Sequence, residues 1–453
     1  MRQRIVCSEP WSMRLSSDTP FPSPAWPRTA PALHVAAHTD LHLVFRTTDN
    51  SIIFDGVQSG DPLPVVAALH SLIHKQGYQD VTLNFQRARF LAPAFMLPVV
   101  SLCRAYRRER VDFNIIMPED RKIANLFSNA NWSHLISPEH YESKSENNIS
   151  NLSATQFFTP DEHHSAVDKS IGLLLQVAAG IDRSRLKALE WSLNEISDNV
   201  LNHAESPIGG LMQVVSFPAK RRVELIVCDA GMTIPKSLRL GRGDIRDDST
   251  ALRQAIEEGV TKNSVTNQGN GLFGTFKCCE VSGGDFDIIS GLVSLSHKPG
   301  EVRIQKNTIP FSGTFVRASI NVDYEGLLER ALVFKGRSHD PQFDYVERLY
   351  HLDGDHVSFK VNEELNAFGT REAGRRARTK IENLMDKRRT PIEFDFSDVH
   401  LISSSFADEV FGKLFAEMGP IAFGHLCRFR EVDRTVQGLI DRAIMQRMKV
   451  AGT

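Results

Sequence analysis

The stretch from Leu186 to Ala204, LKALEWSLNEISDNVLNHA, constrains this chain more than any other. Leu186, Leu189, Leu193, Ile196 and Val200 recur at three- and four-residue steps, the spacing of one buried helical face. At about 100° per residue, Glu195, Asn199 and Asn202 fall within roughly 60° of one another, about 140° from the centre of the apolar stripe. A helix that packs by one side and offers a carboxylate and two carboxamides on the other supplies hard oxygen donors, which suit Mg²⁺. The same pattern also describes a surface helix whose polar side is merely solvated.

Further pieces follow downstream. Val223 to Cys228 is an apolar run of strand length, ending in Asp229-Ala230-Gly231-Met232-Thr233. A carboxylate at a strand end can accept from an exocyclic amine, and a following glycine lets the backbone pass close to a ligand. Gly269-Asn270-Gly271-Leu272-Phe273-Gly274 then enters a helix predicted over Thr275 to Glu280. Glycines at a helix start leave N–H groups free to hold phosphate oxygens. After a hairpin, Ser312-Gly313-Thr314-Phe315-Val316 reads as a strand opened by a small hydroxylated residue.

In this order the pieces resemble the GHKL ATPases: gyrase, histidine kinases, MutL and the bacterial anti-sigma serine kinases. Asn194-Glu195 with Asn199 is similar to their N box, Asp229-x-Gly231 to the first glycine box, Gly269-x-Gly271-Leu272 to the second, and Gly313-Thr314 to the terminal Gly-Thr pair. The resemblance implies a Bergerat-type ATP-binding domain over 161–325. By it, Asn199 would ligate Mg²⁺, Asp229 would read the adenine amine, and Glu195 would be the base that activates water or a hydroxyl. Gly231, Thr233, Gly269, Gly271, Leu272 and Thr314 would border the nucleotide. Two positions depart from the family: Thr233 and Asn267 stand where it carries glycines. Both concern the phosphate lid, so the resemblance speaks to ATP binding before turnover. The lid falls in the polar stretch 241–270, where Lys262 either reaches a terminal phosphate as a point charge or is simply solvated.

The flanks are organised differently. Residues 1–36, rich in Pro and Ser, read as a flexible tail, a mis-assigned start being the alternative. Over 37–142, strands alternate with helices as in a small α/β domain. There VTLNFQRARFLAPAFMLPVVSLC resembles the STAS fold of anti-anti-sigma factors, but its loop Leu91-Ala92-Pro93-Ala94 has no hydroxyl, so docking is its remaining use. Residues 143–160 read as a linker. His163-His164 invites comparison with a phosphoacceptor histidine, although the usual acidic neighbour is missing and an exposed histidine pair explains it as well. After a charged connector at 326–355, the segment 356–453 repeats the STAS-like order, with PIEFDFSDVHLISSSFADEVFGKL in the corresponding place. Its loop holds Ser403, Ser404 and Ser405, of which Ser404 best matches the family's phosphoacceptor. The alternative is that Ser405 caps the helix with Asp408 as a box-like partner. Arg371, Arg375, Arg376 and Arg378 form a basic helix face that either touches phosphates or is solvated.

The expected fold is therefore α/β (α+β): a central two-layer α/β-sandwich Bergerat ATPase domain with a small STAS-like α/β domain on each side. The 453 residues carry 53 Lys and Arg against 55 acids, a net charge of −2, so no global field favours nucleic acid or anionic membrane. No apolar run reaches the roughly eighteen residues of a membrane span. The six cysteines form no CxxC pair, which suits a reduced cytoplasmic chain. The expectation is a cytoplasmic, bacterial-type regulatory protein that uses ATP and Mg²⁺, with hydrolysis or serine phosphorylation, to switch protein partners through its STAS-like domains. A homo-oligomer stays open. So do two other readings, a non-catalytic nucleotide sensor and an ATP-gated DNA-associated clamp in a defence system.

Overall fold

A computed structural model describes residues 5–6, 45–144, 153–178, 180–181, 183–260, 271–334, 336–338, 345–346, 350, 356–365, 367–385 and 390–451. The fold is α/β. Contacts divide the chain into two units: 1–170 with 192–340, and 171–191 with 341–453.

The first unit opens with β1 (Ile5–Val6), β2 (Phe45–Thr48), β3 (Ser51–Gln58), α1 (Leu63–His70), β4 (Asp80–Leu91), α2 (Pro93–Arg108) and β5 (Asp112–Ile116), then α3 (Arg121–Asn129) and α4 (Trp132–Ile136). The sheet order is β2-β3-β4-β5, with β3, β4 and β5 parallel. Alternation fixes its inner face: Ile52, Phe54, Val81, Leu83 and Phe85 are all buried, and Phe54 stacks on Phe85 at 4.4 Å. Pro93 starts α2 where its missing N–H has no helical partner to lose.

A second sheet follows: β6 (Thr155–Phe157), β7 (Gly210–Phe217), β8 (Arg222–Asp229), β9 (Phe286–Lys298) and β10 (Glu301–Asn321), ordered β6-β7-β8-β10-β9 and antiparallel between neighbours. At Val302 and Arg303, β10 also pairs with β1 in parallel. Thr155–Phe157 lies in the stretch read as a linker, yet it is an edge strand; three residues are too few to show a period. The helices in sequence are α5 (Pro160–Val177) and α6 (Arg183–Asn199), of which residues 171–191 count with the second unit, then α7 (Ile234–Gly241), α8 (Asp248–Ala255), α9 (Gly271–Ser282) and α10 (Leu327–Ala331), before a short hairpin of Val333–Phe334 with Arg337–Ser338.

The two sheets of this unit share one core. Phe95, Met96, Val99 and Val100 of α2 cluster with Leu211, Val215, Ile226, Cys228, Phe311 and Phe315 of the second sheet. A buried polar contact joins the same layers, as Trp132 Nε1 donates to Gln213 Oε1 at 3.1 Å. The stretch at 45–142, expected as a separate STAS-like domain, thus packs α2 and Trp132 onto the neighbouring sheet. The composition of α2, PAFMLPVVSLC, is apolar on nearly every side and needs a second partner layer. Residues on β8 alternate, so with Ile226 and Cys228 facing α2, Asp229 falls on the opposite side of the sheet. That other side carries α9, whose Phe276 ring meets Phe286 at 5.8 Å.

The second unit contains a parallel sheet of Val357–Lys360, Ile392–Asp395 and Cys427–Arg430 in sequential order. Its helices include Arg371–Met385, Pro420–Leu426 and Arg434–Ala451. Another runs from Ser404–Ala407 through a π turn at Asp408–Gly412 to Lys413–Met418. Phe394, Phe396 and Phe411 are buried here. Asn383 holds the 171–191 segment by donating to the carbonyls of Leu175 (2.8 Å) and Ala178 (2.9 Å) and accepting from the amide of Gly180 (2.9 Å). Lys380 is buried against Glu364 at 2.5 Å, over the rings of Tyr350 and Phe359. The expected tail at 1–36 lies outside the described residues apart from 5–6. So do 145–152 of the linker and much of the connector.

Candidate nucleotide site

The predicted apolar stripe of α6 is buried: Leu186, Leu189, Leu193, Ile196 and Val200 are each at most 5% exposed. Glu190, Trp191, Ser192 and Ser197 are buried as well, so this is not the surface helix that the pattern also allowed. Immediately after Asn199 the helix widens into a π turn, Val200–Ala204, and ends at Glu205 in the left-handed region. Such turns are often found where a helix serves a site. Asn202, predicted on one polar face with Glu195 and Asn199, is exposed and donates to Asp198. It lies in the π turn, where the 100° step no longer holds.

Glu195 meets the start of α9. A Cβ on Gly271 would lie 2.3 Å from Glu195 Oε2, so any larger residue there would push the Glu195 carboxylate aside. Burial, helped by the charge of Asp198, pushes the Glu195 carboxyl up to about 7. Asn199 Nδ2 donates to the Glu195 carbonyl at 2.7 Å; a cation would take the amide oxygen.

Asp229, 3% exposed, ends β8. Its Oδ1 accepts from the Gly231 amide at 2.7 Å, and the Thr314 amide donates to the same carboxylate. Burial pushes this carboxyl up to about 7 against the pull of those two amides. Gly313, at φ +92°, lies so close that a Cβ would sit 2.6 Å from Asp229 Oδ1. Gly231 is equally confined, since its Cβ would be 2.1 Å from the Ala204 carbonyl. That carbonyl accepts from the Met232 amide at 2.5 Å, and Ser206 Oγ accepts from the Ala230 amide at 3.3 Å. The end of the π turn therefore seats the loop that follows Asp229.

Thr233 caps α7, its Oγ1 accepting from the Lys236 amide at 3.3 Å. Leu272 packs with Leu238, Ile245, Ala251 and Ala255, which ties the first turn of α9 to α7 and α8. Thr314 Oγ1 lies 2.9 Å from Ser290 Oγ, which also donates to the Gly313 carbonyl and accepts from the Ile234 amide. Ser290 has no sequence signal of its own, being one of two serines, with Ser294, in the apolar strand FDIISGLVSL. Lys262 and Gly269 lie outside the described residues. From Glu195 to Ala204 the helix rises by about 13 Å, with Gly271 at one end and the 230–232 loop at the other.

Ser404 belongs to the second unit, where it is exposed in the first turn of its helix. The cap is Ser403, not Ser405: its Oγ accepts from the Phe406 amide at 3.0 Å. Asp408 is bonded instead to Arg447 through both oxygens at 2.8 Å. The basic face is paired with acids: Arg371 with Asp408 and Glu409, Arg375 and Arg376 with Glu372, Arg378 with Glu382 and Glu417. His163, expected on the surface, is 7% exposed.

Residues 373–425, within the second unit, match the STAS-like domain of unknown function (DUF4325). No curated protein and no solved structure matches the chain. The ATP-binding reading therefore rests on the motifs and the geometry. The five cysteines among the described residues are free and buried, and no described helix is long and apolar enough to cross a membrane.

Proposed function

We propose that the second sheet of the first unit, with α6, α7 and α9, binds Mg·ATP, and that the nucleotide state switches protein–protein interactions made through the STAS-like domain. One observation carries this: a single helix bears Glu195 and Asn199, touches Gly271 at one end and seats the Asp229–Gly231 turn at the other. The donor set fits the group. A buried carboxylate suits an exocyclic amine, an amide oxygen suits Mg²⁺, and Gly231, Gly271 and Gly313 keep side chains out of the way. Bound Mg·ATP would supply the transferable phosphoryl group. Glu195 then takes the proton from water or a serine hydroxyl at its carboxylate, and a pKa near 7 matches that task at neutral pH. Exposed Ser404, or a serine on a partner, is the candidate acceptor. The sensor reading keeps one specific support: Thr233 serves as a helix cap where the resemblance expects glycine.

Calorimetry with Mg·ATP tests the pocket. Asp229→Ala should weaken binding by about 100-fold; equal affinity in both proteins would sink the proposal. Intact mass after incubation separates the activities, since added phosphate means kinase and ADP alone means ATPase.

A further inference from the structure

The histidine pair at 163–164 found no place in this reading, yet His163 reaches the back of the helix that carries the site. Its Nε2 lies 2.7 Å from Ser197 Oγ, and its ring packs against Phe157 at 5.3 Å. The Ser197 hydroxyl donates to the Leu193 carbonyl at 2.5 Å, so its oxygen accepts from the ring, which places the imidazole proton on Nε2. Ser197 sits between Glu195 and Asn199 in sequence and about 160° around the axis from each. Both Ser197 and Asn199 bond backward to carbonyls of their own helix, at Leu193 and Glu195. Back-bonding of the Ser197 kind slightly destabilises a helix and often bends it. It falls in the last α turn before the π turn at Val200–Ala204. A turn loosened from within needs a hold from outside, and the His163 ring supplies it from α5.

We infer that His163 is a positioning residue that fixes, through Ser197, the turn presenting Glu195 and Asn199. The role at the site rests on the nucleotide reading above; the hold on the helix does not. Burial lowers the pKa of the ring, with the Asp198 charge acting the other way.

The test uses the full chain with His163→Leu, His163→Gln, Ser197→Ala and the Leu/Ala double variant. Gln keeps a donor near the place of Nε2. His163→Leu should lower turnover roughly ten- to hundredfold and weaken Mg·ATP binding by a smaller factor, since both Glu195 and Asn199 lose their fixed turn. His163→Gln should restore most of that loss, and the double variant should be no worse than either single change. In nucleotide-free protein, amide exchange over 196–204 should quicken roughly tenfold in His163→Leu and stay near wild type in His163→Gln. Unchanged exchange in His163→Leu, or additive losses in the double variant, overturns the inference. If the wild type itself ignores Mg·ATP, the nucleotide reading falls, and the exchange measurement alone still decides whether His163 holds the turn.

Discussion

The blocks 51–116 and 357–430 follow one plan. Each has three parallel strands in sequential order, and each sends its central strand through a loop into a helix. In the first block that loop is bonded inward, the Ala92 amide to the Gln58 carbonyl at 2.8 Å, and α2 lies between two sheets. In the second, the loop leaves Leu401 and Ser404 exposed. What separates them is the helix that follows. PAFMLPVVSLC is apolar on all sides, whereas SSFADEVFGKLF interleaves acids and a lysine. A helix with two oily sides can lie between two sheets; one that carries acids packs against neighbouring helices through ion pairs, as Asp408 does with Arg447 and the buried Glu409 with Arg378.

The sharpest way to break this comparison is to charge the first block. Val100→Asp buries a carboxylate with no partner and should cost more than about 4 kcal/mol, enough to lose the cooperative urea transition of the first unit. A soluble, cooperatively folded Val100→Asp protein would show that α2 is not an interior layer. The second block is expected to depend on a pair rather than a layer. Lys380→Met leaves Glu364 without its cation and should cost about 3 kcal/mol, with much of the loss recovered when Glu364→Gln is added. Failure of the second change to recover stability would argue against an ion-pair origin.

Burial of Asp229 and Glu195 gives the first unit a pH signature. The folded pKa values of Asp229 and Glu195, both about 7, lie above the ordinary 3.8 and 4.5, so the folded chain holds protons that the unfolded chain releases. Stability present below about pH 4 is therefore lost as pH climbs towards 7, by up to about 4 kcal/mol for Asp229, with no further loss above. ATP affinity should move the opposite way, strengthening from pH 5 to pH 8 as Asp229 ionises and accepts the amine. Urea midpoints and calorimetry at the two pH values check both signs; an affinity that weakens with pH contradicts the assignment of Asp229. The smallest effect belongs to the exposed loop. Ser404→Asp, at a helix start, should change stability by no more than about 0.5 kcal/mol, read as an unchanged urea midpoint.

Much of the local structure was legible in the sequence. The strand ending in Asp229, the helix entered through Gly271 and the stripe on α6 all announced themselves by period and punctuation. What was not legible depends on partners far along the chain. A stripe of Leu and Ile does not reveal that Ser197 is buried too, because its burial goes with its bond to His163 far along the chain. The π turn after Asn199 shifts the register at Asn202 without changing the composition. Ser403 rather than Ser405 caps its helix because the turn begins two residues earlier than the apolar pattern suggests. The stacking of α2 on a second sheet joins residues such as Val100 and Phe311, a distance over which no local pattern reaches.

That shared interior has a consequence for how the chain can be cut or recombined. A version beginning at residue 153 would keep every residue named for the nucleotide, yet it would bare Leu211, Val215, Ile226, Phe311 and Phe315 as one continuous greasy wall. Such a fragment would clump before it met any ligand. The first block and the sheet beneath it must be inherited, expressed and transplanted together.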